Sequence, residues 1–282
     1  MDKFNDRLRN DWFILSSLVS KDFKLKYRRS ILGVVWSVLN PFLMMIVMAA
    51  IFSFFSRGDT ATQPFPVYLI LGSTLFTLMS SATSIGASSI ISAASMIKKI
   101  RINKMIFPLA KVVFELVNFS LSLVAVVIVM AFFKVWPTIY LLYLPLLLFY
   151  VTLFCAGLSL LLSALAVFFA DIIYLWGVVL TAWTYATPIF YSSSILPQLM
   201  IDFMKFNPMY HYVTYFRSIT MCGVQANIAS LLHCFINQEL WLPAWQPPGL
   251  MENLVCLGIA VITFLAGYLV FRVTQKRFIL FV

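Results

Sequence analysis

Charge is what this chain has least of: Asp, Glu, Lys and Arg make up 11% of its 282 residues, while apolar types make up 62%. A soluble globule of this length needs about a quarter of its residues charged, so that class is excluded. Acids are scarcer still, at ten against twenty basic residues. No carboxylates are paired for acid–base work, and two histidines with four scattered cysteines make no metal site. None of the ten glycines begins a GxxxxGK[ST] phosphate loop, and no nucleophile elbow is present. Hydrolysis of ATP by that loop within this chain is thereby excluded. A signal-peptide pattern is also missing from the first thirty residues, so the first apolar stretch is expected to act as the insertion signal.

Long uncharged runs take the place of charge. From Ile31 to Phe55 there are 25 consecutive residues without one. Hydrocarbon about 30 Å thick is crossed by roughly 20 apolar residues of helix. We therefore expect an all-α integral membrane protein with six transmembrane helices, near 34–55, 65–92, 107–133, 139–168, 172–192 and 251–271. The run from Thr60 to Ile97 holds 38 residues, too many for one span and too few for two, and predicts one tilted span with protruding ends. The expected organisation is an interface helix and basic segment over 1–33, a transmembrane domain over 34–273 with a cytoplasmic loop at 93–108 and an outer cap at 193–250, and a tail over 274–282.

Sixteen of the twenty basic residues fall in residues 1–33, the loop from Lys98 to Lys111, and the tail. By the positive-inside rule both termini face the cytoplasm. The net charge of +10 is then read as topology plus attraction to anionic headgroups, with no nucleic acid partner. Ahead of the first span, Leu8, Trp12, Leu15, Val19 and Phe23 share one helical face, as an interfacial helix requires. Its basic end is either a simple anchor or a collar in which Arg28 and Arg29 guide an anionic lipid headgroup inward.

Prolines mark two spans as irregular: Asn40-Pro41 is expected to interrupt the first and Thr187-Pro188 the fifth, freeing carbonyls that must face protein or water. Aromatic residues gather on the same two segments. Trp36, Phe42, Trp176, Trp183, Tyr185, Phe190 and Tyr191 are the candidate channel lining, on which sugar rings stack; the alternative is interface belts and packing. Ser80, Ser84, Ser88 and Ser92, with Ala82 and Gly86, form a ridge of small side chains read as a close helix contact. Glu115 is read as a local pair with Lys111, Asp171 as a helix cap, and all four cysteines as unpaired thiols, although Cys222 and Cys234 share one loop and allow a pair. Scarce membrane acids argue against an ion gradient as the energy source, so transport would need a separate energising subunit. Ile97, Ile100, Ile102 and Met105 alternate with Lys98, Lys99, Arg101 and Lys104, a pattern suited to a short helix seated in a partner's cleft.

These residues also carry a resemblance. The run Tyr27-Arg28-Arg29-Ser30-Ile31-Leu32-Gly33, then Trp36, Leu39-Asn40-Pro41 and Phe52-Ser53, resembles the opening of ABC-2 type permeases that export polysaccharides. Ser95-Met96-Ile97-Lys98-Lys99-Ile100 resembles that family's loop between spans two and three, and Phe169-Ala170-Asp171-Ile172 its turn before span five. Thr187-Pro188-Ile189-Phe190-Tyr191, Asn207-Pro208 and Phe216-Arg217 complete a series in family order over residues 12–220.

The resemblance implies a half-transporter in a bacterial cytoplasmic membrane. A second copy of the chain would complete the pore, and two copies of an ABC ATP-binding subunit, which hold the ATP and Mg, would drive it. Its cargo would be a lipid-linked polysaccharide such as O-antigen or teichoic acid on undecaprenyl diphosphate. Spans one and five would face each other across the dimer axis, with Ile97, Lys98, Lys99, Arg101 and Lys104 coupling to the ATPase and re-entrant or short helices following span five. Arg101-Ile102-Asn103-Lys104-Met105 departs from the commoner Tyr-Phe-Pro-Arg-Glu, and Ala170 stands where Arg often precedes the Asp. Residues 223–249 match no motif. An exporter of a drug or other small hydrophobic substrate would use the same fold; a membrane-bound transferase would need a polar catalytic cluster not found here.

Overall fold

The computed structural model describes residues 2–28, 31–53, 65–99, 102–136, 139–191, 197–221 and 247–278. Among these residues every regular element is helical, as long apolar runs require. They are α1 (Asp2–Tyr27), α2 (Val35–Ser53), α3 (Phe65–Ser92), α4 (Ala94–Lys99), α5 (Ile106–Phe132), a 3-10 turn (Ile139–Tyr143) leading into α6 (Leu144–Phe168), α7 (Ile172–Ala186), α8 (Gln198–Met204), α9 (Pro208–Met221) and α10 (Leu250–Thr274). Four are long and apolar enough to cross a bilayer: α3, α5, α6 with its leading turn, and α10. Helices α2 and α7 are apolar but shorter.

Of the two expectations built on proline, the interruption at Asn40-Pro41 needs correction and that at Thr187-Pro188 is met. Helix α2 runs unbroken from Val35 to Ser53 with Pro41 inside it. An interior proline costs about 3 kcal/mol, which packing of α2 along α3 and α5 outweighs. Helix α7, expected to reach 192, stops at Ala186, and Thr187 is extended at φ −105°, ψ 134°. The ring of Pro188 disfavours helical backbone at the residue before it. Thr187, Pro188 and Ile189 are nonetheless buried. Irregular backbone at membrane depth is tolerated where protein satisfies it, and the partners that do so are described below.

Helix α3 is the hub, touching α2, α5, α6, α7 and α9. The most extensive pairing is α6 with α10. There a Cβ added to Gly267 would stand 2.0 Å from the carbonyl oxygen of Gly157, so only paired glycines let the two backbones meet. Ser159 donates to the Ala82 carbonyl at 3.1 Å, and a Cβ on Gly86 would meet that serine at 2.5 Å. Ala82 and Gly86 thus serve close packing as expected. The serine ridge does not: Ser80 and Ser84 line a cavity, and Ser92 is exposed.

Helix α1 lies along α5, where Lys111 bonds Asp22 at 2.6 Å. The expected pair of Lys111 with Glu115 is therefore not made; Asp22 on α1, less buried than Glu115, takes the ammonium without the cost of burying it beside Glu115. Trp12 and Phe13 are largely exposed on α1. Asp171 precedes α7 but makes no capping bond, because its backbone is already helical at φ −65°, ψ −19°. Cys155 and Cys256 are buried thiols without a disulfide, while Cys222 and Cys234 lie outside the described residues. A second apolar cluster joins Ile90, Phe107, Leu160, Phe271 and Phe278, with Leu18, Ile97 and Met105 against its edge.

Candidate functional site

Helices α2, α3, α5 and α7, with the last residues of α1 at one end, line a half-open cavity of about 930 Å³. Ser73, Thr77, Ser80, Ser81 and Ser84 come from α3. At 100° per residue these five fall within about 100° of one another, one face of the helix. From α5 come Glu115, Asn118 and Ser122, from α7 Thr181, Thr184 and Tyr185, and from α2 Trp36, Ser37, Asn40 and the apolar Met44, Met45 and Met48. The hydroxyl wall was missed in the sequence, where the serines were read as a contact surface. Its signal was a Ser or Thr at every third or fourth position of an otherwise aliphatic span.

One tyrosine closes the α1 end. The Tyr27 hydroxyl donates to Asn118 Oδ1 at 3.0 Å and shares a further hydrogen bond with Ser37, so α1, α2 and α5 meet at one phenol. Lys26 lines the same end, with Nζ 5.3 Å from the centre of the Phe114 ring. Arg28 is exposed and borders a shallow groove on α1 with Lys21 and Lys24; Arg29 lies outside the described residues.

Of the candidate channel residues, Trp36, Tyr185 and Phe190 line the cavity. Phe42, Trp176 and Trp183 pack against the core. The Trp176 indole donates to Thr83 Oγ1 at 3.0 Å and that of Trp183 to Asn207 Oδ1 at 2.7 Å. Tyr191 donates to the Tyr185 carbonyl at 2.8 Å and borders a second cavity, of about 570 Å³, between the end of α7 and α8. Tyr185 stands on the walls of both.

The broken end of α7 is held by Arg217 and Asn207, together with the Tyr68 hydroxyl, which donates to the carbonyls of Pro188 and Tyr191 at 3.2 and 2.9 Å. Arg217, 1% exposed, lies with its guanidinium carbon 3.3 Å from the Tyr68 ring centre. It donates through Nη1 to the Pro188 carbonyl at 2.7 Å, through Nη2 to those of Ile189 and Tyr68 at 3.2 and 3.1 Å, and through Nε to Tyr68 at 3.3 Å. Asn207 uses its whole amide: Oδ1 accepts from Trp183 and from the Met209 N–H at 3.0 Å, and Nδ2 donates to the Ala186 carbonyl and Thr187 Oγ1 at 3.2 and 3.0 Å. It caps α9 ahead of Pro208, the residue best placed at a first helical position. Sequence reading had noted both residues only as matches in a series, because their partners lie twenty to a hundred and fifty positions away.

At the second apolar cluster, α4 presents Lys98 and Lys99 outward while Ile97 packs inward. Lys104 turns back to the C-terminal segment, donating to the Gln275 carbonyl at 2.8 Å with Phe278 beneath it at 5.7 Å, and burial pushes its pKa below the usual lysine value. Arg101 lies outside the described residues.

The sequence profile of a family described as ABC-2 type transporter matches residues 15–221, from within α1 to the end of α9, and so takes in every wall of the cavity. The chain belongs to that family. It is also similar to curated proteins named as export permeases. An O-antigen export system permease protein RfbA of Myxococcus xanthus is 30% identical over 208 residues, 73% of this chain and 79% of that protein. Two proteins of the same description from Klebsiella pneumoniae are 27% identical over 211 residues and 26% identical over 212, with 74% and 75% of this chain and 81% of each relative covered.

Proposed function

We propose that this ABC-2 family member is the membrane-spanning half of an ATP-driven exporter that moves a lipid-linked polysaccharide out of the cytoplasm. The cavity between α2, α3, α5 and α7 carries this reading: a hydroxyl wall with Trp36 and Tyr185 on it suits a sugar chain, and the relatives are named as O-antigen permeases. Two copies would join to complete the pore. Both α2 and α7 leave apolar side chains such as Val47, Tyr174 and Val178 exposed. In this reading they serve as two further spans, bringing the total to six, with α1 lying in the interface and both termini cytoplasmic in a bacterial inner membrane. O-antigen, teichoic acid or a related glycan on undecaprenyl diphosphate would be the cargo, its headgroup drawn in past Arg28 and Arg29. ATP and Mg belong to a separate ATP-binding subunit, two copies of which dock on the loop at 93–108 through Lys98 and Lys99.

Met44, Met45 and Met48 give one side of the cavity an adaptable apolar surface, which favours a small hydrophobic cargo as the second reading. The deciding experiment purifies the chain with its ATP-binding subunit and measures ATPase activity in lipid nanodiscs with undecaprenyl-linked glycans. Stimulation by a glycan supports polysaccharide export. A stable complex indifferent to every glycan favours the small cargo, and failure of any ATPase to associate overturns the half-transporter.

A further inference from the structure

The cavity is rich in hydroxyls, yet many of their protons are already committed. On α3, Ser73, Thr77 and Ser80 donate to the carbonyls of Ile70, Ser73 and Thr77 at 3.3, 2.7 and 3.2 Å. Ser122 on α5 donates to Phe119 at 2.8 Å, and on α7 Thr181 and Thr184 donate to Gly177 and Leu180 at 3.0 and 2.8 Å. A hydroxyl has one proton and two lone pairs. A wall of hydroxyls bonded back to their own helices therefore turns lone pairs toward the cavity, and accepts hydrogen bonds more readily than it offers them. Phosphate and carboxylate oxygens only accept. Ser81 and Ser84 make no such bond among the described residues and still offer their protons, so the wall holds some donors but more acceptors, and an anion finds fewer partners on it than a hydroxyl does.

Two α5 residues sharpen the contrast. Glu115, 6% exposed, adds carboxyl oxygens to the wall. Asn118, 7% exposed, takes the Tyr27 proton on Oδ1 and holds its Nδ2 beside the Glu115 carboxyl, so its own donor also faces the protein. Lys26, at the α1 end, is the one cation among the described residues that line the cavity.

We propose that this cavity is a subsite for neutral sugar residues, whose hydroxyls donate to the wall and to Glu115, and that it disfavours glycans bearing a carboxylate or phosphodiester in each repeat. The inference rests on the export reading and narrows its cargo. Trp36 and Tyr185, 46% and 67% exposed, offer faces for the apolar side of a sugar ring.

The test titrates nanodisc complexes of the full chain and its ATP-binding subunit with two polyprenyl diphosphate tetrasaccharides, one of mannose and one of glucuronic acid, and reads ATPase stimulation. The neutral glycan should half-stimulate at a concentration about tenfold lower, since like charge and unmet acceptors disfavour the acidic one. Glu115→Gln should narrow that gap, and Thr77→Lys, at an exposed position on the wall, should reverse it. An equal or stronger response to the acidic glycan, or a gap that neither variant moves, overturns the inference and leaves glycan export standing. Silence toward both glycans overturns the inference, and silence toward every glycan overturns the export reading with it. If Glu115→Gln fails to assemble, Thr77→Lys decides alone.

Discussion

Replacing Arg217 with Met keeps most of the side chain's bulk and removes four hydrogen bonds to the carbonyls of Tyr68, Pro188 and Ile189. Bonds from a charged donor contribute about 1.5–3 kcal/mol each, and a buried acceptor left bare costs about 1–3 kcal/mol. Pro188 keeps one partner, the Tyr68 hydroxyl at 3.2 Å. The variant also escapes the burial of a guanidinium, a penalty of several kcal/mol. Offsetting these terms leaves a net loss of about 2–4 kcal/mol, or roughly 5–10 °C in the unfolding midpoint of a chain this size. Thermal unfolding in nanodiscs measures the global loss, and hydrogen exchange at residues 187–191 the local one. Arg217→Lys should fare no better, because a point charge cannot span three carbonyls on two segments. Gly72→Ala supplies a cross-check: its Cβ would fall 2.5 Å from Arg217 Nη2, so it should destabilise the native chain and cost less in the Met background. A Met variant that unfolds within about 2 °C of the native protein with unchanged exchange at 187–191 would refute the latch.

Gly267→Ala must push α10 off the Gly157 backbone and should cost about 1–3 kcal/mol, seen as a lower midpoint and reduced recovery of folded protein. Asn207→Ala removes the α9 cap and strands the Trp183 indole, for a loss of about 2 kcal/mol measurable in the same unfolding assay. Ala in place of Trp36 or Tyr185 should lower glycan export while assembly stays intact; unchanged export in both variants removes them from the pathway. Lys98→Glu with Lys99→Glu should abolish co-purification of the ATP-binding subunit, and normal recovery would refute docking on α4.

Helix positions were legible because a charge-free run is a local property. Four expected spans fall within three residues of α3, α5, α6 with its leading turn, and α10. Proline was less informative, since its effect depends on surroundings: Pro41 is carried inside a packed helix, while Pro188 ends one whose freed carbonyls are met by Arg217 and Tyr68. The aromatic candidates were legible as a group and not one by one. A helix has two sides, and the chain alone does not say which faces α3 and α6 and which the cavity; hence Trp183 packs against the core while Tyr185, two positions on, lines the cavity.

By itself the sequence determined that this chain is helical and apolar, and through an ordered series of short motifs it pointed to the ABC-2 family, because run length, composition and motif order are read along the chain. Only the tertiary structure decided that the serines of α3 form a cavity wall, that Lys111 pairs with Asp22 in place of Glu115, and that Arg217 is a buried latch and not a surface charge. Each of these depends on which groups from distant segments meet once water is excluded, and a helix's own sequence cannot name its neighbour.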